Sequence, residues 1–249
     1  MPMRPLSIIG AASSAGAYAP GQEKAPAAFR RYGLREALAG KGRTIKDQGD
    51  VASFRWRPDL ARPLAMNLDA VRDACCQAAR HVTAALAAQE DVLVLGGDCT
   101  VEIGTVIGAI AAGERHGLIY IDFDADLTTP ATSDGALDWT GVAHLLDVPG
   151  CEASLAGLGP HRPMLKPEQL LYFGVENITP PEAAAIEDHA IEIISRKESM
   201  RDIETAVARA TEWAARHDCL LIHLDIDVLS YIDFPIAENV RRCDGLKLV

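Results

Sequence analysis

The chain has no C-x-x-C pair, no signal-like opening, no repeat, no low-complexity tract, and no apolar run near the roughly 20 residues that a membrane span needs. Basic residues are also in deficit: 24 Lys and Arg stand against 35 Asp and Glu, a formal charge of −11. That balance argues against nucleic acid or an anionic membrane as the main partner. The six cysteines, Cys75, Cys76, Cys99, Cys151, Cys219 and Cys243, are scattered, which fits reduced thiols in a cytoplasm better than a disulfide framework. Met1-Pro2-Met3-Arg4-Pro5 leads directly into a strand-like run. No linker or shift in composition divides the 249 residues, so a single domain over 1–249 is expected.

What the chain does have is an alternation of apolar runs with helical patterns. Strands are predicted over 6–10, 44–47, 92–95, 118–122, 169–173, 190–194 and 219–225. Between them lie predicted helices: one opened by Pro26, an Ala-rich one from Asn67 or Asp69 to about 89, and others over 100–112, 142–146, from Pro181, and over 199–216. Residues 128–141, polar and containing Gly and Pro, read as loop. Such an order predicts βαβ units, a mainly parallel sheet, and the α/β class. The ending Gly245-Leu246-Lys247-Leu248-Val249 reads as the beginning of another helix, so a C-terminal helix and strand of the domain are expected to be missing from these residues.

Three acidic clusters close three apolar runs: Gly96-Gly97-Asp98-Cys99 after residues 93–95, Asp122-Phe123-Asp124-Ala125-Asp126 after 119–121, and Asp225-Ile226-Asp227 after 220–224. In an open parallel sheet, ligands bind outside the carboxyl ends of the strands, so acids placed there converge on one crevice. Unpaired carboxylates at such range push each other's pKa upward, whereas divalent cations between them stabilise all of them as anions. Hard oxygen donors favour Mg²⁺, Ca²⁺ or Mn²⁺. The residues therefore point to a metal site of more than one ion.

Order and spacing together make the chain resemble the ureohydrolase superfamily of arginase, agmatinase and formimidoylglutamase. Gly96-Gly97-Asp98-Cys99-Thr100 is similar to that family's Gly-Gly-Asp-His-Ser motif, Asp122-Phe123-Asp124-Ala125-Asp126 to its Asp-Ala-His-x-Asp, and Asp225-Ile226-Asp227 to its Asp-x-Asp. Asp47-Gln48-Gly49-Asp50, Leu127-Thr128-Thr129-Pro130 and the loop 174–182 resemble further family segments. The resemblance implies a three-layer α/β/α sandwich with a mainly parallel sheet, two Mn²⁺ ions, a small guanidino or amidino substrate and a homo-oligomer. It implies that Asp122 and Asp225 bridge the metals, that Cys99 and Asp126 complete one shell, and that Asp124 and Asp227 complete the other. Two ions sharing a water lower its pKa and hold hydroxide against a planar amidine carbon. Asp126 is the candidate catalytic carboxylate, and Thr128, Asp138, Thr179 and Glu182 are the candidate substrate contacts.

The pattern departs from the family at specific places. Cys99 and Asp124 stand where histidines are usual; a thiolate would draw Zn²⁺ or Fe²⁺ in preference to Mn²⁺. Cys99 reads either as a ligand or as a small buried hydrophobe, and Asp124 as a ligand or as an acid behind one. Asp138 or Trp139 stands near the usual proton-shuttle histidine, with His144 a few residues on, read as capping or packing in a helix rather than taking the shuttle role. The glutamate that grips a guanidinium in arginases would lie beyond Val249, so arginine itself is not implied. His223, two residues before Asp225, either faces the metals or packs in the core. Glu182 either shapes the substrate rim or caps the helix at Pro181. Two functions follow: a metal-dependent hydrolase of linear C–N bonds, or a catalytically degenerate homologue that binds a ligand or partner.

Overall fold

The computed structural model describes residues 3–40, 42–113, 116–235 and 245–247. Cys243 and the final residues 248–249, on which the expected unfinished ending partly rests, lie outside them. The chain divides into two compact units, residues 1–114 with 129–164, and residues 115–128 with 165–249. Among the described residues no helix is long and apolar enough to cross a membrane.

In the first unit β1 (Leu6–Ser13) lies between β2 (Ile45–Phe54) and β3 (Asp91–Leu95), all parallel. All eight residues of β1 are buried, as expected of a central strand covered on both faces. The helices are α1 (Ala25–Arg31), α2 (Leu34–Ala39), α3 (Leu68–Ala87), α4 (Val101–Ala111), α5 (Gly141–Leu145) and α6 (Ala153–Ala156). Strand β2 runs to Phe54, beyond the predicted 44–47, because its pairing with β1 resumes after a register irregularity opposite residues 8–11. Asn67 precedes α3 but makes no cap bond with its side chain; its amide instead donates to the carbonyls of Ala15 and Arg57, tying two loops together.

The second unit holds β4 (His116–Ile121), β5 (Leu170–Phe173), β6 (Glu192–Ile194) and β7 (Cys219–Leu224) in the order β6-β5-β4-β7, again all parallel. Its helices are α7 (Pro180–Asp188), α8 (Arg196–Arg201) and α9 (Ile203–Ala214). On one sheet face Ile119, Leu171, Phe173 and Ile194 pack against Ala206, Ala210 and Trp213 of α9. The spacing 206, 210, 213 is one helical stripe, with small residues letting the helix approach and Trp213 filling the remaining space. The predicted helix over 199–216 is two helices. Ser195 caps the first, with Glu198 returning the bond, and Asp202 caps the second through Thr205, so two start signals interrupt what apolar spacing alone reads as continuous.

The turn after β3 leans on the end of β1. The N–H of Asp98 donates to the Ser13 carbonyl at 3.0 Å, and a Cβ added at Gly97 would overlap that same backbone. Gly97→Ala is expected to cost about 2 to 3 kcal/mol, read as a lowered urea midpoint, whereas Gly96→Ala, where a Cβ meets nothing, should cost clearly less.

Candidate metal centre

In parallel pairing, residues opposite each other point to the same sheet face, and the face alternates at every step. Strands β4 and β7 pair with Tyr120 opposite His223 and Ile121 opposite Leu224. The N–H of Asp225 then donates to the Ile121 carbonyl at 2.9 Å, carrying the alignment one residue past both strands. Tyr120 and Asp122 from β4, and His223 and Asp225 from β7, therefore share one face, away from α9. Leu220, Ile222 and Leu224 take the other and are exposed.

The ligand atoms of Asp122, Asp124 and Asp227 lie within 4.8 Å of one another, as do those of Asp122, His223 and Asp225. Asp122 is common to both groups. Backbone N–H groups hold these carboxylates in place: Asp124 donates to Asp122 at 2.7 Å, Asp227 to Asp225 at 2.9 Å, and Phe123 to Asp227 at 3.3 Å. The Asn177 side chain donates to Asp124. Asp122 is almost wholly buried, and burial, followed by the like charges of Asp225 and Asp227, pushes its carboxyl well above the usual carboxylate range. A divalent cation beside the buried Asp122 carboxylate would favour its anionic form. Carboxylate oxygens with an imidazole nearby form a donor set that fits hard to borderline divalent ions.

Asp126 stands apart from both groups. It is buried, with φ of 50°, and accepts a hydrogen bond from the Tyr120 hydroxyl at 2.6 Å. Thr128 is half-buried on the same loop. Glu182 is buried at the start of α7: one carboxylate oxygen accepts from the Leu127 N–H at 3.1 Å, the other from the Thr179 N–H and hydroxyl at 2.8 and 2.7 Å. Glu182 thus caps α7 and ties its first turn to the loop after β4.

Cys99 and Asp138 belong to the first unit, where the Cys99 N–H donates to the buried Asp138 carboxylate at 2.5 Å. Asp98, which closes a run just as Asp122 does, turns into its own unit. Its carboxylate takes the N–H groups of Gly16 and Thr100 at 3.0 and 3.1 Å and the Thr100 hydroxyl, so it secures the turn. His144 is fully buried; its Nδ1 meets the Thr140 carbonyl at 2.6 Å and its Nε2 accepts from the Glu152 N–H at 2.9 Å. Both ring nitrogens are occupied within the fold, which bears out its reading as a packing residue.

A sequence profile of the arginase family matches residues 4–236. The chain belongs to the arginase family. Mitochondrial arginase-2 of Bos taurus is 32% identical over 203 residues, covering 80% of this chain and 56% of that protein. The chain thus spans little more than half the length of the mammalian relative it matches. Arginase of Bacillus caldovelox is 29% identical over 240 residues, covering 94% of this chain and 79% of the other. The crystal structure of arginase from Bacillus subtilis matches with a TM-score of 0.84 at 25% identity, covering 98% of this chain and 82% of that one. The α/β sandwich with parallel sheets read from the sequence is therefore the fold of this arginase-family chain. His223 is the residue at the cluster that sequence reasoning left between two roles; its signal was the two-residue spacing from Asp225, which on a strand means the same face.

The His144 arrangement suits only the neutral ring, since a proton on Nε2 would face the Glu152 N–H. Burial accordingly lowers its pKa from the ordinary 6.5. Its stabilising contribution is complete above the unfolded value and is lost as pH falls through the lower folded one. His144→Gln should be less stable than the parent at pH 8, with the gap narrowing on acidification. Parallel curves of melting temperature against pH would contradict this.

Proposed function

We propose that this arginase-family chain is a metal-dependent hydrolase of linear C–N bonds in a guanidino or amidino compound. The observation that carries the reading is the convergence of Asp122, Asp124 and Asp227 at the ends of two paired strands, in a chain matched to the family over residues 4–236. Asp122, Asp124, Asp225 and Asp227 would hold two divalent ions, Mn²⁺ by preference. When bound, the ions supply a water acidic enough to act as a nucleophile near neutral pH and a positive field for the developing charge.

The chain's own contribution is placement. The N–H groups of Phe123, Asp124 and Asp227 fix the carboxylates before any ligand arrives, so little reorganisation is left for the reaction itself. Asp126, oriented by the Tyr120 hydroxyl, is assigned to accept a proton from the attacking water and to hydrogen-bond the amino groups of the tetrahedral centre. A C–O bond forms at the amidine carbon, a C–N bond breaks, and the departing nitrogen leaves protonated as an amine, with urea or another amide as co-product. Thr128 and Thr179 are assigned to the substrate rim, which Glu182 shapes through its bonds to Leu127 and Thr179.

Full-length protein dialysed against Mn²⁺ should retain metal in stoichiometric amount and release urea or ammonia from at least one member of a panel of guanidino and amidino compounds. Asp122→Asn should lower both metal content and turnover, the latter by about 100-fold or more. Stoichiometric metal with no hydrolysis of any panel member would leave the metal centre standing and remove the activity.

A further inference from the structure

The family pattern expects imidazole at two positions of the metal centre, and this chain has Cys99 and Asp124 there. An imidazole outside that pattern lies at the acid cluster. His223 comes from β7, two residues before Asp225 and on the same face, and its ligand atom lies within 4.8 Å of those of both Asp122 and Asp225. Its side chain is 11% exposed, and its Nε2 stands 3.7 Å from Oδ2 of Asp122. That distance is too long for a hydrogen bond, yet it suits two donors turned toward a common ion.

The ring's orientation is fixed from the neighbouring strand. Tyr120, directly opposite in register, stacks on it face to face with centroids 4.1 Å apart and planes 3° from parallel. The Tyr120 hydroxyl is itself anchored on Asp126 and its ring lies edge-on to Tyr172. An imidazole clamped in plane, with one nitrogen near the buried Asp122 and the half-buried Asp225, has lost the rotational freedom that coordination would otherwise cost.

We infer that His223 is a direct metal ligand, supplying from β7 the nitrogen donor that Asp124 does not supply from its own position. The inference rests on the metal-centre reading above and deepens it. A carboxylate-rich site with one neutral nitrogen donor holds borderline ions such as Mn²⁺, Fe²⁺ or Zn²⁺ more selectively against Mg²⁺ and Ca²⁺ than an all-oxygen site does.

The test uses the full chain and Mn²⁺ alone. Pulsed electron paramagnetic resonance of the Mn²⁺-loaded protein should show coupling to a directly bound nitrogen, and the coupling should change its isotope pattern when histidine is labelled with ¹⁵N. In His223→Gln the coupling should vanish and Mn²⁺ affinity should fall about tenfold or more, while binding to the carboxylates persists. His223→Cys loaded with Co²⁺ gives an independent reading: a thiolate-to-metal charge-transfer band stronger than that of the parent protein requires residue 223 to reach the ion, so the inference survives even if the Gln variant fails to fold. Mn²⁺ bound in stoichiometric amount without nitrogen coupling, or coupling that persists unchanged in His223→Gln, would overturn the assignment of His223 and leave the metal centre intact. A parent protein that binds no Mn²⁺ would overturn both.

Discussion

The in-register pairing of β4 with β7 is the constraint on which the site depends. Because Tyr120 faces His223 and Ile121 faces Leu224, the first residue beyond each strand is an aspartate beside an aspartate, and the two-residue period repeats the same sheet face at the next position back. One alignment thus determines which carboxylates approach, which ring stacks on which, and which aliphatic side chains are turned away. The hydrogen bond from the Asp225 N–H to the Ile121 carbonyl carries the sheet geometry into the loops where the acids sit.

That alignment brings like charges together, and the chain does not separate them. Asp122 is buried, and its neighbours raise rather than lower the cost of its ionisation. Backbone N–H groups offset part of this cost by aiming at Asp122, Asp225 and Asp227. Such dipoles orient a carboxylate but do not neutralise it. A divalent cation would supply the positive charge that the buried Asp122 lacks, which is the physical reason for reading the cluster as a candidate metal centre.

Much of this was legible in the sequence, and what was not legible is physically specific. Asp122, Asp124, Asp225 and Asp227 could be singled out because carboxylates at the ends of apolar runs have few structural reasons to be there. Asp98 carried the same local signal, yet its carboxylate secures the turn to Gly16 and Thr100; which way a turn projects depends on what lies across from it, and Gly16 is 82 positions away. His223 could not be resolved from sequence alone because its partner is Tyr120, and register between strands about a hundred residues apart is a property of the fold. The split between α8 and α9 was written locally, in Ser195 with Glu198 and in Asp202 with Thr205, but the apolar spacing across it reads as one helix. Glu182 was left between capping and shaping a rim; it takes the cap with one oxygen and the loop after β4 with the other.

Strand β7 has two incompatible sides. One delivers His223 and Asp225 to the acid cluster; the other carries Leu220, Ile222 and Leu224, which among the described residues are exposed on the last strand of the four-stranded sheet. Since a shift of one residue exchanges the two sides of a strand, any slip that hid the aliphatic row would also swing the imidazole and the carboxylate off the centre. A cation gripping residues at the ends of both β4 and β7 would therefore act as a lock on strand register.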